Sequence, residues 1–96
     1  MTGRGSPARY DARVSGRVQR VGFRAFCRRS ALSLGLRGWV RNLPGRSVEV
    51  CVVGERLSID LFIRLLRAGP AGAKVERVDG QFSEPSGNEP EGFCAM

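Results

Sequence analysis

Between Tyr10 and Val18, apolar and polar residues alternate. Ala12, Val14 and Gly16 fall on one side, and Asp11, Arg13, Ser15 and Arg17 on the other. A period of two predicts a half-buried strand. Residues 19–23 form a loop, and then the period lengthens. Over Arg24–Leu34, with Phe23 just ahead, Phe26/Cys27, Ser30/Ala31 and Leu34 recur every three to four residues while Arg28, Arg29 and Ser33 point away. That spacing predicts a helix with one apolar face. Gly35 stands where a left-handed residue commonly ends a helix.

The alternation then returns. Leu36, Gly38 and Val40 oppose Arg37, Trp39 and Arg41, a second strand over Leu36–Asn42. Leu43-Pro44-Gly45-Arg46 places Pro and Gly at the central positions of a type II turn. Ser47–Val53, with Val48, Val50 and Val52 on one face, completes a hairpin that Gly54 closes. Glu55–Ala68 is a second helix with an expected apolar stripe of Leu57, Leu61, Phe62, Leu65 and Leu66. Lys74–Phe82 is a fourth strand, Ser83–Glu91 a polar loop, and Gly92–Met96 at best a fifth, stub-like strand. The order β-α-β-β-α-β defines an α+β, ferredoxin-like split βαβ sandwich, an antiparallel sheet with two helices on one face. Leu65, Phe62, Phe26 and Ala31 are expected between the layers. Residues 1–8 lack periodicity and read as a flexible tail, and residues 9–96 as a single domain.

Composition narrows the chemistry. The chain has 96 residues, enough for one modest core, and 42% of them are hydrophobic. No apolar run approaches the ~18 residues of a membrane span, and the N-terminus lacks the apolar middle of a signal peptide. A cytoplasmic protein with no membrane association is expected. Three well-separated cysteines and no histidine leave no zinc or iron–sulfur ligand set, no disulfide framework and no His-dependent triad. No metal and no cofactor are expected. Residues 1–46 hold eleven Arg against the single Asp11, a balance of +10, whereas residues 47–96 balance to −3. A basic first half suits an anionic ligand, either a phosphate ester or a nucleic acid, and equally suits a solvated arginine-rich surface.

One stretch sharpens this. Gly16–Arg24, GRVQRVGFR, runs from a strand through a glycine-bearing turn into a helix start. Such a junction presents unpartnered helix N–H groups to an anion, and Arg24 adds a planar cationic fork suited to phosphate oxygens. On residue types alone, the stretch reads more readily as a turn whose glycines serve geometry and whose arginine is solvated. The nucleotide P-loop pattern is absent. Cys27 reads as a small core hydrophobe, Trp39 as a packed sheet residue.

Gly16, Val18, Gln19, Val21, Phe23 and Arg24 are followed, in register, by Ala31, Leu34, Gly35, Leu36, Gly38, Trp39, Val40 and Asn42, then by Val48, Glu49 and Gly54. These two ordered blocks resemble the acylphosphatase family, with good cover over residues 10–82. The resemblance implies metal-independent hydrolysis of acyl phosphates to a carboxylate and inorganic phosphate. It implies a phosphate-binding loop of Gln19, Arg20, Val21, Gly22 and Phe23, with Arg24 binding the phosphate and Asn42 positioning the attacking water. The implied partners are a small acyl phosphate and an inorganic phosphate or other anion in the loop, and a monomer is expected.

Two departures stand out. Arg20 occupies a loop position where the family has Gly. It either obstructs a left-handed backbone or close approach, or adds charge for phosphate. The ending, GFCAM, is short for an edge strand, although Phe93 is available to anchor it. Competing readings are an RNA-recognition module and a catalytically impaired or inactive binding module on the same fold. The third strand has no aromatic residue, which argues against nucleic acid.

Overall fold

Tyr10, Ala12 and Val14 form the inward side of β1 (Ala8–Arg17), and all three are buried. The computed structural model describes residues 6–96. Of the expected tail, residues 1–5 lie outside the described residues, and Ala8 already belongs to β1. The remaining elements are α1 (Phe23–Ser33), β2 (Arg37–Asn42), β3 (Val48–Gly54), α2 (Arg56–Ala68), β4 (Lys74–Ser83) and β5 (Phe93–Ala95). Their order follows the alternation of periods in the sequence, with ends displaced by a residue or two.

The sheet runs β4-β1-β3-β2-β5. β1 pairs antiparallel with both β3 and β4, and β2 with β3, as expected for the split βαβ plan. The fifth strand differs from the fully antiparallel expectation, because β5 lies parallel to β2, with Gly38 beside Phe93 and Val40 beside Ala95. Topology gives the reason. β4 and β5 occupy opposite edges, so the chain crosses the sheet and returns running against β4. β2 also runs against β4, so the two lie parallel. The pairing is short but bonded at both ends, Gly38 N–H to Gly92 O at 2.9 Å and Met96 N–H to Val40 O at 2.8 Å. Phe93 is buried and anchors it.

Helix α2 presents a different face from the one its leucines suggest. Leu57 is 78% exposed and Leu61 49%, whereas Ile59, Phe62 and Leu66 are fully buried. Leu65, expected between the layers, is also exposed, and Phe26 is only partly buried; Phe62 and Ala31 sit there as expected. The helix carries two adjacent apolar rows, and the sheet has room for one. Phe62 belongs to the row with Ile59 and Leu66 at −3 and +4, and burying its ring turns that row inward.

The segment from β4 to β5 crosses the sheet face opposite the helices. Arg9, Val53 and Arg37 stand side by side in one cross-strand row on that face. Arg9 donates to Glu89 at 2.6 Å, and Arg37 to the carbonyls of Glu89 and Pro90 at 3.4 and 3.3 Å. Val53 between them is buried, as is Cys51 in the next row. Glu89 belongs to the stretch read as a polar loop, yet it is buried. Its carboxylate accepts from the Ser86 N–H and hydroxyl and the Gly87 N–H, besides Arg9. The Ser86 N–H holds its pKa far below the ordinary carboxylate range, helped by Arg9 and opposed by burial.

Two outcomes are expected. Ile59→Ala should lower stability by about 2–5 kcal/mol in denaturant titration, and Leu57→Ala by less than about 0.5 kcal/mol. For Glu89, a depressed carboxylate pKa contributes stability above its ordinary value of 4.5 and loses it as pH falls through the folded value. The stability gap between the protein and Glu89→Gln should therefore be full at pH 7 and narrow progressively below pH 4.5.

Candidate active site

β1 ends against β4 with a bulge between Ser15 and Gly16. A Cβ at Gly16 would lie 2.1 Å from the Lys74 carbonyl oxygen, so only glycine allows the strands to close there. Beyond it, the chain turns through two left-handed residues, Arg20 (φ 64°) and Gly22 (φ 76°). Arg20 is the one non-glycine residue with positive φ among the described residues. A left-handed backbone costs a side-chain-bearing residue about 1–2 kcal/mol. The sequence comparison pointed to this position, and the backbone supplies the reason glycine is favoured there.

Gly22 is the N-cap of α1 and offers no side chain to the helix amides. The first bond across the junction is Phe26 N–H to Gly22 O, 2.9 Å. The N–H groups of Phe23, Arg24 and Ala25 are left without a partner among the described residues, as the first turn of a helix requires. These amides and the positive end of the helix dipole make one wall of a cavity of about 180 Å³. Arg24, Arg20 and Phe23 line it together with Asn42 at the end of β2. Since water takes up ~30 Å³ in the liquid, the space admits a phosphoryl group with an attacking water. No carboxylate lines it.

Five of the seven sequence-predicted residues meet here: Arg20, Gly22, Phe23, Arg24 and Asn42. Gln19 and Val21 do not line the cavity. Gln19 turns its side chain to the hairpin, donating to the carbonyls of Leu43 and Ser47 at 2.9 and 2.8 Å. It fixes the loop against the strand end that carries Asn42. Val21 packs on the core. Two lining residues, Val18 and Ala25, were not anticipated. Ala25 was findable, because the third residue of a helix always has an unpartnered N–H. Arg24 also donates through Nη1 to the Met96 carbonyl oxygen, a contact across the whole chain that no local pattern announces.

A larger hollow lies elsewhere, an open saddle of about 540 Å³ on the helix-free face. Charges of both signs line it, and Arg41 and Glu49 pair there at 2.7 Å. Nothing in it selects one ligand charge. Cys27 and Cys51 are fully buried, and burial pushes both thiols up to about 12, so neither is a nucleophile at neutral pH. Cys27 is the core residue the helix pattern suggested.

Comparison with known proteins places the sequence and the fold. The family model described as acylphosphatase matches residues 10–94, which includes the ending whose sequence likeness is weak. The chain is 47% identical over 79 residues to the acylphosphatase of Thermus thermophilus, covering 82% of this chain and 90% of that one. It is 43% identical over 89 residues to that of a Roseiflexus species, covering 93% and 95%. The structure of an acylphosphatase from Coxiella burnetii superposes with a TM-score of 0.89 at 34% identity, over 100% of both chains. With the fold and the sequence in accord along nearly its whole length, the chain belongs to the acylphosphatase family.

Proposed function

We propose that the protein hydrolyses acyl phosphates to a carboxylate and inorganic phosphate, without a metal ion. The observation that carries this reading is the single cavity in which Arg24, the first-turn amides of α1 and Asn42 converge. The phosphoryl oxygens sit against the amides and the Arg24 guanidinium, which neutralise them. Asn42 orients a water in line with the acyl oxygen. The water oxygen bonds to phosphorus as the bond from phosphorus to the acyl oxygen breaks, and that electron pair leaves on the carboxylate. Both water protons remain with the phosphate product. A carboxylate is stable as an anion at neutral pH, so the leaving group needs no proton from an acid. Positioning and charge neutralisation are then the protein's main contributions.

The site is built from one chain, and we read the protein as a cytoplasmic monomer. Inorganic phosphate, the product, occupies the same loop and inhibits competitively. Benzoyl phosphate hydrolysis in the presence of a chelator is the direct assay. Turnover should persist, and Arg24→Ala and Asn42→Ala should each lower kcat by about 10²–10³ or more. Loss of turnover on chelation, or full activity in either variant, would reject the assignment.

Arg20 favours a second feature, a handicapped loop. A side chain held at φ 64° strains the backbone that presents the amides. Arg20→Gly should raise stability by about 1 kcal/mol, a rise in Tm of about 4–8 °C, and increase benzoyl phosphate turnover. Unchanged turnover and an unchanged Tm would show that the loop is unstrained by its arginine.

A further inference from the structure

Beside the phosphate cavity lies a second hollow, of about 280 Å³. Val18 and Arg20 line both, so the two adjoin. The second is lined further by Arg17 from the end of β1 and by Arg46 from the hairpin turn. Three guanidinium-bearing residues thus surround a space that no carboxylate lines. They come from two pieces of chain, Arg17 and Arg20 from the β1–α1 junction and Arg46 from the hairpin turn. Arg17 follows the bulge at Gly16, Arg20 sits at the left-handed turn, and Arg46 follows Gly45 at φ 90°.

Arg9, Arg41, Arg56 and Arg77 each pair with a carboxylate. Arg37 and Arg24 donate to main-chain carbonyls. Among the described residues, Arg17, Arg20 and Arg46 have neither kind of partner. Among the described residues, Arg13, Arg28, Arg29, Arg64 and Arg67 also lack a partner, so what sets Arg17, Arg20 and Arg46 apart is their convergence on one hollow that no carboxylate lines. Glu76 lines a small neighbouring hollow of about 90 Å³ with Arg46 and Gly16, yet forms no ion pair with Arg46. Solvated arginines are ordinary on a protein surface. Three that converge on a hollow opening beside a phosphate site, with like charges unrelieved by an acid, are better explained by an anion that belongs there.

We propose that Arg17, Arg20 and Arg46 form a second anion subsite, and that the preferred substrate is an acyl phosphate whose acyl portion ends in its own carboxylate or phosphate ester. This rests on the acyl-phosphate reading of the adjoining cavity. The phosphoryl group enters at Arg24 and the α1 amides, and the acyl chain passes Val18 and Arg20. The terminal anion reaches Arg17 and Arg46. Arg20, strained where it stands, serves both spaces. A neutral acyl group gains nothing from the second.

Binding and turnover separate this proposal from the reading beneath it. In calorimetry, 4-phosphonobutanoate should bind about tenfold more tightly than butylphosphonate at low salt. In Arg17→Gln/Arg46→Gln that ratio should fall to about one, and raised ionic strength should shrink it in the unaltered protein. In turnover, kcat/KM for succinyl phosphate and for 3-phosphonooxypropanoyl phosphate is compared with that for acetyl phosphate. Preference for either or both, lost in the double variant, supports the subsite and tells which terminal anion it takes. Equal binding of the two phosphonates, or a preference the double variant retains, overturns it. Failure to hydrolyse any acyl phosphate defeats the enzymatic reading, and the phosphonate ratio still decides whether the subsite exists.

Discussion

Both hydrogens of the Gln19 side-chain amide go to main-chain carbonyls of the hairpin, those of Leu43 and Ser47. The rest of the candidate site depends on that tie. Asn42 directly precedes Leu43, and Arg24 follows Gln19 by five residues, so one side chain ties the cationic wall to the strand end that carries the facing residue. β1 and β2 are not neighbours in the sheet; β3 lies between them and sets Val48 beside both Val14 and Asn42, and the Gln19 amide extends that register to the loop. Loss of Gln19 would also remove the donor to the Leu43 carbonyl, whereas the Ser47 carbonyl keeps the Leu43 N–H at 2.9 Å. Within that frame, the left-handed turns at Arg20 and Gly22 send the backbone amides outward, and the helix begins with its donors unclaimed.

On the opposite face, an ionic cluster closes over the buried Val53 and Cys51. Arg9 lies between Asp11 and Glu89, and Glu89 gathers two main-chain N–H groups and a hydroxyl besides. A buried carboxylate is tolerable only when its lone pairs are met in this way. The crossing segment thereby delivers Phe93 to the core and β5 to the edge of β2. β5 in turn brings the Met96 carbonyl to Arg24, so an ionic clamp on one face is linked through the last strand to the cationic wall on the other.

Much of this was legible in the residues. Period-two alternation found the first four strands because each has one face against the helices. Gly35 ended its helix in the left-handed conformation, at φ 71°. The α2 stripe was misjudged because Leu57, Leu61 and Leu65 are spaced as regularly as the row that packs. Counting leucines cannot show which row a ring will pull inward. The direction of β5 depends on a crossing that leaves no periodic trace. Glu89 looks like any loop acid until its partners, one of them eighty residues away, are brought to it. At the site, Arg20 was legible as an anomaly, because a single backbone angle governs its position. Gln19 was legible only as part of a motif, since its side chain answers to a hairpin formed later in the chain.

The two margins of the sheet carry unequal risk of association. One ends in β5, three residues long and too short to template another chain. The other is β4, ten residues long and bordered by β1 on one side only. A long outer strand with unpaired main-chain donors and acceptors invites addition of a further strand from a second molecule. Lys74, Glu76, Arg77 and Asp79 are exposed along it, and Arg77 pairs with Asp79 on the strand itself. Desolvating these charges opposes stacking against that margin. The lopsided charge of the chain therefore has a counterpart here. Arg17, Arg20, Arg24 and Arg46 gather around the candidate site, while alternating charges of both signs guard the margin at which the protein is most open to aggregation.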